Sequence, residues 1–420
     1  MDKQNSKYRW VVFASVLFTY LIIVTQRTAP GLITEELMTE FKVTASTIGL
    51  LTSIQFMAYA SLQIPIGILS DRFGPNLFLI VGTLLNGIGT LFYSVAPNEM
   101  VLLLARLLVG IGDATIWVNL VLILSQWFKV KEFVGLLGIA GMTGSFGFLM
   151  ATVPFSNWID IAGWREPFLI MGIVLCINAL ILYFVLVKKP KLTLIKEASV
   201  TKENKREKTL PMLRRIFSNR QAWATFLCHF GLVGTYIGFI GSWAVPFGMN
   251  VYGLSRSDAS QLIMIGLFGA ILGAPLTSWI SNRLGSIKKP YIVVHVIVFF
   301  SWIVFLLFHG KPPYFMLFLL FFLIGYGNGA STLTFAIVRN SFNMKEVGVV
   351  SGFANTGGFI SAILLPIFFG FILDQFQHTG SDIGYQYGFI IPIVFTILGL
   401  VGGFIIKEQR QEDKQQSLLS

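Results

Sequence analysis

Twelve apolar stretches run through this chain, near residues 10–33, 46–69, 76–95, 100–127, 132–156, 165–187, 221–245, 258–281, 290–310, 312–341, 346–373 and 385–407. Each is close to the roughly 20 residues that a helix needs to cross about 30 Å of hydrocarbon. Lipid offers no water to backbone N–H and C=O groups, so spans of this length must satisfy them internally, as helices. Composition agrees: 12% of the 420 residues are charged and mean hydropathy is +0.74, whereas a soluble domain carries about a quarter charged residues. The run from Trp10 to Ile33 is too long for a signal-peptide core and lacks a small-residue cleavage site, so it reads as a retained first span.

Orientation follows from the basic residues. All but six of the 31 lysines and arginines fall in segments that share one side of the membrane. Lys42, Arg165, Arg256 and Lys311 lie on the other side, and Arg27 and Arg106 fall within spans. Positive charge collects on the cytoplasmic side, so both termini are expected inside, in a multi-pass protein of the cytoplasmic membrane. The net charge of +11 is largely this bias, with eleven basic residues between Lys188 and Arg220 alone. That stretch lacks the interleaved aromatics of a nucleic-acid site and reads as a polar linker in contact with lipid headgroups. Cys176 and Cys228 both lie inside apolar runs and imply no disulfide framework.

The chain also repeats itself. Ser70-Asp71-Arg72-Phe73-Gly74 returns 211 residues later as Ser281-Asn282-Arg283-Leu284-Gly285, each time between two apolar runs. Lys131-Glu132 with Gly138 and Gly144 returns as Lys345-Glu346 with Gly352 and Gly358. Two hairpins repeated at nearly one offset mark a duplicated transporter. The expected fold is an all-α membrane protein with twelve transmembrane helices in two pseudo-symmetric six-helix bundles and a solute path between them. Residues 1–189 form the first bundle, 190–220 a cytoplasmic linker, 221–407 the second bundle and 408–420 a cytoplasmic tail.

Gly67-Ile68-Leu69-Ser70-Asp71-Arg72-Phe73-Gly74 resembles the loop signature of the major facilitator superfamily. Arg106-Leu107-Leu108-Val109-Gly110-Ile111-Gly112 resembles its fourth-helix signature, and Gly163-Trp164-Arg165 is typical before the sixth span. The resemblance runs from Trp10 to Lys407 and implies a transporter working by alternating access. One departure stands out: the basic pair that usually follows the loop glycine is replaced by Pro75-Asn76. Asp71 in such a loop suits the positive end of a neighbouring helix, which favours an anion by roughly 0.3–1 kcal/mol. The resemblance implies that this helix is the eleventh span, beginning near Val347, and makes Gly67, Asp71, Arg72 and Gly74 a gating motif with Asp71 as its latch. A plain turn, with Gly74 supplying permissive backbone, is the alternative.

Within the spans, charge is nearly absent. Of 20 acidic residues only Asp113 lies mid-span, beside the basic Arg27 and Arg106. Each such charge costs about 2.5–3.5 kcal/mol on insertion scales, so the three are expected to face a wet cavity and one another. Asp113 follows Arg106 by two helical turns on one stripe with Gly110 and Trp117, and Arg27 lies at a depth that would let both guanidiniums flank one anion. The resemblance places spans one, four, seven and ten around a central cavity, which adds Tyr20 on the Arg27 face and His229, Tyr236 and Trp243 at steps of seven. Arg106 matches an arginine common to transporters of very different substrates, and is either structural or a substrate contact. A first-helix arginine such as Arg27 resembles the organic-anion branches, where a guanidinium fork meets carboxylate or phosphate. Its alternatives are a counter-ion for Asp113 or a snorkelling side chain. Asp113 is a fixed arginine partner or the proton-coupling site, with His229 a second proton candidate. Gln55, Asn328 and Asn355 are polar mid-span residues suited to orienting substrate or bridging helices.

These features point to proton-coupled uptake of an organic anion by a monomer without a cofactor. Proton-coupled drug efflux is the rival. Gly138, Gly141, Gly144 and Gly147 form a close-packing ladder in the fifth span, yet Gly144-Ser145 stands where the antiporter signature resembles a Gly-Pro pairing. A non-transporting sensor is a further alternative. An embedded enzyme is disfavoured: His229, His295, His309 and His378 have no metal spacing, the spans hold no carboxylate pair, and no glycine-rich segment ends in Gly-Lys-Ser/Thr.

Overall fold

The computed structural model describes residues 6–188, 214–342, 347–377 and 381–408. Among them there is no strand, and the chain divides at Arg206–Glu207 into two compact helical units. In the first, α1 (Arg9–Thr28) passes through a 3₁₀ turn (Ala29–Leu32) into the short α2 (Thr34–Phe41). Then come α3 (Ala45–Phe73), α4 (Pro75–Ser94), α5 (Glu99–Trp127), α6 (Val130–Met150), α7 (Val153–Ala162) and α8 (Arg165–Tyr183). The second unit holds α9 (Arg220–His229), a π-helical turn (Phe230–Gly234), α10 (Thr235–Ile240) and α11 (Ala244–Tyr252). It continues with α12 (Arg256–Leu284), α13 (Lys288–Leu307), α14 (Tyr314–Ala330), α15 (Leu333–Ser341), α16 (Val347–Gln375), α17 (Ser381–Gly388) and α18 (Ile390–Ile405).

Eleven helical runs among the described residues are long and apolar enough to cross a membrane, and the 29-residue α3 occupies the remaining predicted span. Met142, Leu307, Phe315 and Phe404 stand more than half exposed, as side chains do when their solvent is lipid. Several spans that the apolar pattern presents as continuous are interrupted. The breaks at Thr152, Trp243 and Phe389 lie two or three residues ahead of Pro154, Pro246 and Pro392, whose missing N–H and ring do not fit a helix interior but suit the first turn of the next.

Local chemistry sets the ends. Asn98 caps α5 by accepting from Val101 N at 3.0 Å, and Ser255 caps α12 by accepting from Asp258 N at 3.1 Å. The glycines of the repeated hairpin, Gly74 and Gly285, have φ of 89° and 59°, a region a side chain disfavours, and each ends its helix there. Pro75 then opens α4, and Asn76 Nδ2 donates to Leu186 O at 3.3 Å, beyond the end of α8. In the second unit Lys288 fills the same office, its Nζ donating to Phe404 O at 3.0 Å and Ile406 O at 2.5 Å. The departure Pro75-Asn76 therefore keeps the fastening of hairpin to sixth span, with a neutral group instead of a cation.

Outside the spans, the Gly163-Trp164-Arg165 signature clamps α2. Arg165 donates to Ser94 O at 2.8 Å and Ala96 O at 3.1 Å and forms an ion pair with Glu40, to which Trp164 Nε1 also donates at 2.8 Å. Burial works against the charge of Glu40, but the hydrogen bonds from Arg165 and Trp164 and the nearby guanidinium outweigh it and hold its carboxyl below the ordinary range.

Candidate functional site

α5 carries Asp113 into the interior of the first unit, where it is 1% exposed. Donors from three other helices converge on its carboxylate. Arg27 Nε on α1 donates to Oδ2 at 2.9 Å, Gln55 Nε2 on α3 to the same oxygen at 2.6 Å, and Asn86 Nδ2 on α4 to Oδ1 at 3.1 Å. A carboxylate stripped of water is costly unless charge and hydrogen bonds replace its hydration, and this cradle supplies both. Glycine makes the convergence possible: a Cβ on Gly110 would lie 2.5 Å from Gln55 O, and one on Gly112 2.6 Å from Gly82 O. Thus α3, α4 and α5 meet backbone to backbone beside Asp113.

The Arg27 guanidinium also lies over the Tyr59 ring, 5.1 Å from its centroid. Only Nε is spent on Asp113. Its terminal nitrogens, Nη1 and Nη2, meet no acceptor among the described residues, and the side chain keeps 17% of its exposure. Four N–H groups therefore remain, in the fork geometry that suits carboxylate or phosphate. Tyr20, two turns earlier on the same face, packs on Trp117 with ring centroids 5.4 Å apart. Its hydroxyl has no hydrogen-bond partner among the described residues.

Arg106 shares the Asp113 stripe but stays out of the cradle. It is 2% exposed, its guanidinium lies 5.7 Å from the Tyr93 ring centroid, and Nη1 has no hydrogen-bond partner among the described residues. It remains close enough to interact electrostatically with Asp113 and Arg27. Mid-span, the first unit thus sets two guanidiniums against one carboxylate, a surplus of positive charge.

In the second unit, His229 is buried with Nδ1 3.3 Å from Thr334 Oγ1, and Asn355 lies beside the same ring. Tyr291 Oη lies 2.5 Å from that threonine oxygen. Tyr236 is buried against Gly266, whereas Asn328 is half-buried and its side chain has no hydrogen-bond partner among the described residues. Trp243, on the same seven-residue stripe, donates to Pro366 O at 3.1 Å and stacks on Phe369, a packing role.

Of the sequence candidates, Arg27, Asp113, Gln55, Tyr20 and Trp117 come together, while Asn355 lies beside His229 in the second unit. In the loop motif Gly67 and Gly74 are described, but the side chains of Asp71 and Arg72 lie outside the described residues. Sequence reasoning missed Asn86 and Tyr59. Asn86 carried the signal that marked Gln55, a lone amide in an apolar run, whereas nothing distinguishes Tyr59 from the aromatics that merely pack.

Comparison with known proteins agrees with this architecture. A probable sulfoacetate transporter of Cupriavidus necator is 26% identical over 96% of this chain and 95% of its own length. The D-galactonate transporter of Escherichia coli is 22% identical over 87% of this chain and 89% of its own, and the hexuronate transporter of Bacillus subtilis 25% over 86% and 87%. A bacterial homologue of the human lysosomal transporter Spinster, solved in an inward-facing, unoccupied conformation, shares the fold with a TM-score of 0.78 at 19% identity over 96% of this chain and 98% of that one. The sequence pattern of the Major Facilitator Superfamily matches residues 16–329 and 288–419, so this chain belongs to that superfamily and is a membrane transporter, not an enzyme.

Proposed function

We propose that the protein imports a small organic anion bearing a carboxylate or phosphate, together with a proton, by alternating access. The observation that carries this reading is the Arg27 guanidinium, pinned through Nε by Asp113 with its terminal edge unclaimed among the described residues. An anion docking on that edge gains two parallel charge-assisted hydrogen bonds. Its arrival brings two negative groups onto one guanidinium. A proton taken up by Asp113 relieves that repulsion and leaves Arg27 to the substrate, and loss of the proton lets the carboxylate reclaim Arg27 and expel the anion. Gln55 and Asn86 keep Asp113 in place through both states. The similarity to transporters named for sulfoacetate, D-galactonate and hexuronate supports the same substrate class.

The test is uptake of labelled organic anions into proteoliposomes under an imposed pH gradient. Accumulation should require the gradient and alkalinise the outer medium. Transport of only cations or neutral solutes, or accumulation indifferent to the gradient, would refute the proposal.

A further inference from the structure

We propose that Gly144, on α6, is a specificity-determining position that sets how far the Tyr20 hydroxyl reaches toward the anion held by Arg27. The inference rests on the anion-binding reading above. Tyr20 and Arg27 stand seven residues apart on one face of α1, and the Tyr20 hydroxyl is free among the described residues to meet a ligand. What stands behind that ring is Gly144. A Cβ at this position would lie 2.9 Å from Tyr20 Oη, closer than real Cβ atoms come, and 3.0 Å from Cε1 and 3.3 Å from Cζ, both tighter than most. The group obliged to yield is the tip of a side chain, so α6 and α1 keep their packing and the ring swings. Its swing is limited, because the ring already packs on Trp117. Any side chain at 144 therefore moves the Tyr20 hydroxyl without dismantling the bundle.

The same helix supplies its own controls. One turn before, a Cβ on Gly141 would meet nothing within 4 Å. One turn after, a Cβ on Gly147 would lie 2.9 Å from Leu21 O and 3.0 Å from Val24 Cβ, so there α1 itself would have to move, together with the Thr25 Oγ1 bond to Gly147 O at 3.0 Å. One substitution, glycine to alanine, should thus have three different outcomes along three turns.

The experiment measures unliganded melting temperature, and dissociation constants for a panel of labelled mono- and dicarboxylates, in Gly141→Ala, Gly144→Ala, Gly147→Ala, Tyr20→Phe and the Tyr20→Phe/Gly144→Ala double variant. Gly141→Ala should match the parent in both readouts, and Gly147→Ala should melt lower. Gly144→Ala should melt like the parent yet bind its best anion about tenfold more weakly, the scale of one misdirected hydrogen bond. Once Tyr20→Phe has removed the oxygen at closest approach, adding Gly144→Ala should change the dissociation constant no further. Parent-like affinity in Gly144→Ala, a lowered melting temperature there, or an undiminished effect in the Tyr20→Phe background overturns the inference while anion binding stands. A parent that binds no anion overturns both.

Discussion

Replacing Arg27 by lysine keeps the positive charge and changes only its shape. The guanidinium donates through Nε to Asp113 at 2.9 Å while its terminal nitrogens meet no acceptor among the described residues, so one side chain can hold Asp113 and the proposed ligand at once. An ammonium is a compact point charge that cannot span that distance, so in Arg27→Lys the carboxylate of Asp113 and the ligand compete for one group. The ligand loses the second of two parallel charge-assisted bonds, each worth about 1.5–3 kcal/mol, which is roughly a tenfold to hundredfold loss of affinity. Folding should change far less, because Gln55 and Asn86 still hold Asp113 and the charge facing it is preserved. The assay is ligand-induced thermal stabilisation of the purified protein against organic anions, organic cations and neutral sugars, with parent and variant side by side. If Arg27→Lys binds as tightly as the parent, or if only cations and sugars stabilise the parent, the bidentate reasoning is wrong.

Three further expectations follow from named contacts. Asp113→Asn presents an amide N–H₂ to a site whose three partners are all donors, so gradient-driven accumulation should vanish while exchange across the membrane persists; robust accumulation by this variant would remove Asp113 from proton coupling. Arg106→Lys should lower the yield of folded protein, since the flat guanidinium over Tyr93 is lost, and leave anion affinity at the parent value; intact yield with lost affinity would make Arg106 a ligand contact. Glu40, held below the ordinary 4.5, binds its proton more weakly in the folded than in the unfolded protein. Its contribution to stability is therefore full above about pH 4.5 and is lost as pH falls through the lower folded value. Melting temperature across that window should fall more steeply for the parent than for Glu40→Gln, and parallel curves would discount the clamp on α2.

Much of this was legible in the sequence because lipid leaves few alternatives. A charge in the membrane needs a partner, which is why Arg27 and Asp113 were expected to face one another and do. The same reasoning could not direct Arg106. Seven-residue spacing puts it on the stripe of Asp113, but a long flexible side chain on the right stripe still chooses its rotamer from local packing, and here it lies over Tyr93. Asn86 escaped notice because its partner comes from α5, and helix contacts of this kind are set by glycines such as Gly82 and Gly112 whose neighbours are unknown until the bundle is assembled. The interrupted spans were hidden for a related reason: hydropathy counts apolar side chains and is blind to a missing backbone donor. Pro154, Pro246 and Pro392 carried that information, yet Pro65, Pro275 and Pro366 sit within unbroken helices, so proline alone does not locate a break.

The glycine contacts beside Asp113 have a mechanical consequence. Where α3, α4 and α5 approach through backbone and short side chains, there is little long, flexible side chain to deform, so the mount around the carboxylate is stiff. Stiff surroundings do not absorb a change of charge by creeping toward it. Any change in the charge on Asp113 would throw the imbalance of force on the most compliant group attached to it, the long Arg27 side chain of α1, whose terminal nitrogens meet no acceptor among the described residues. Under the proposed coupling, an event confined to one proton would be turned into displacement of one long lever on one helix, instead of being spread thinly through the bundle.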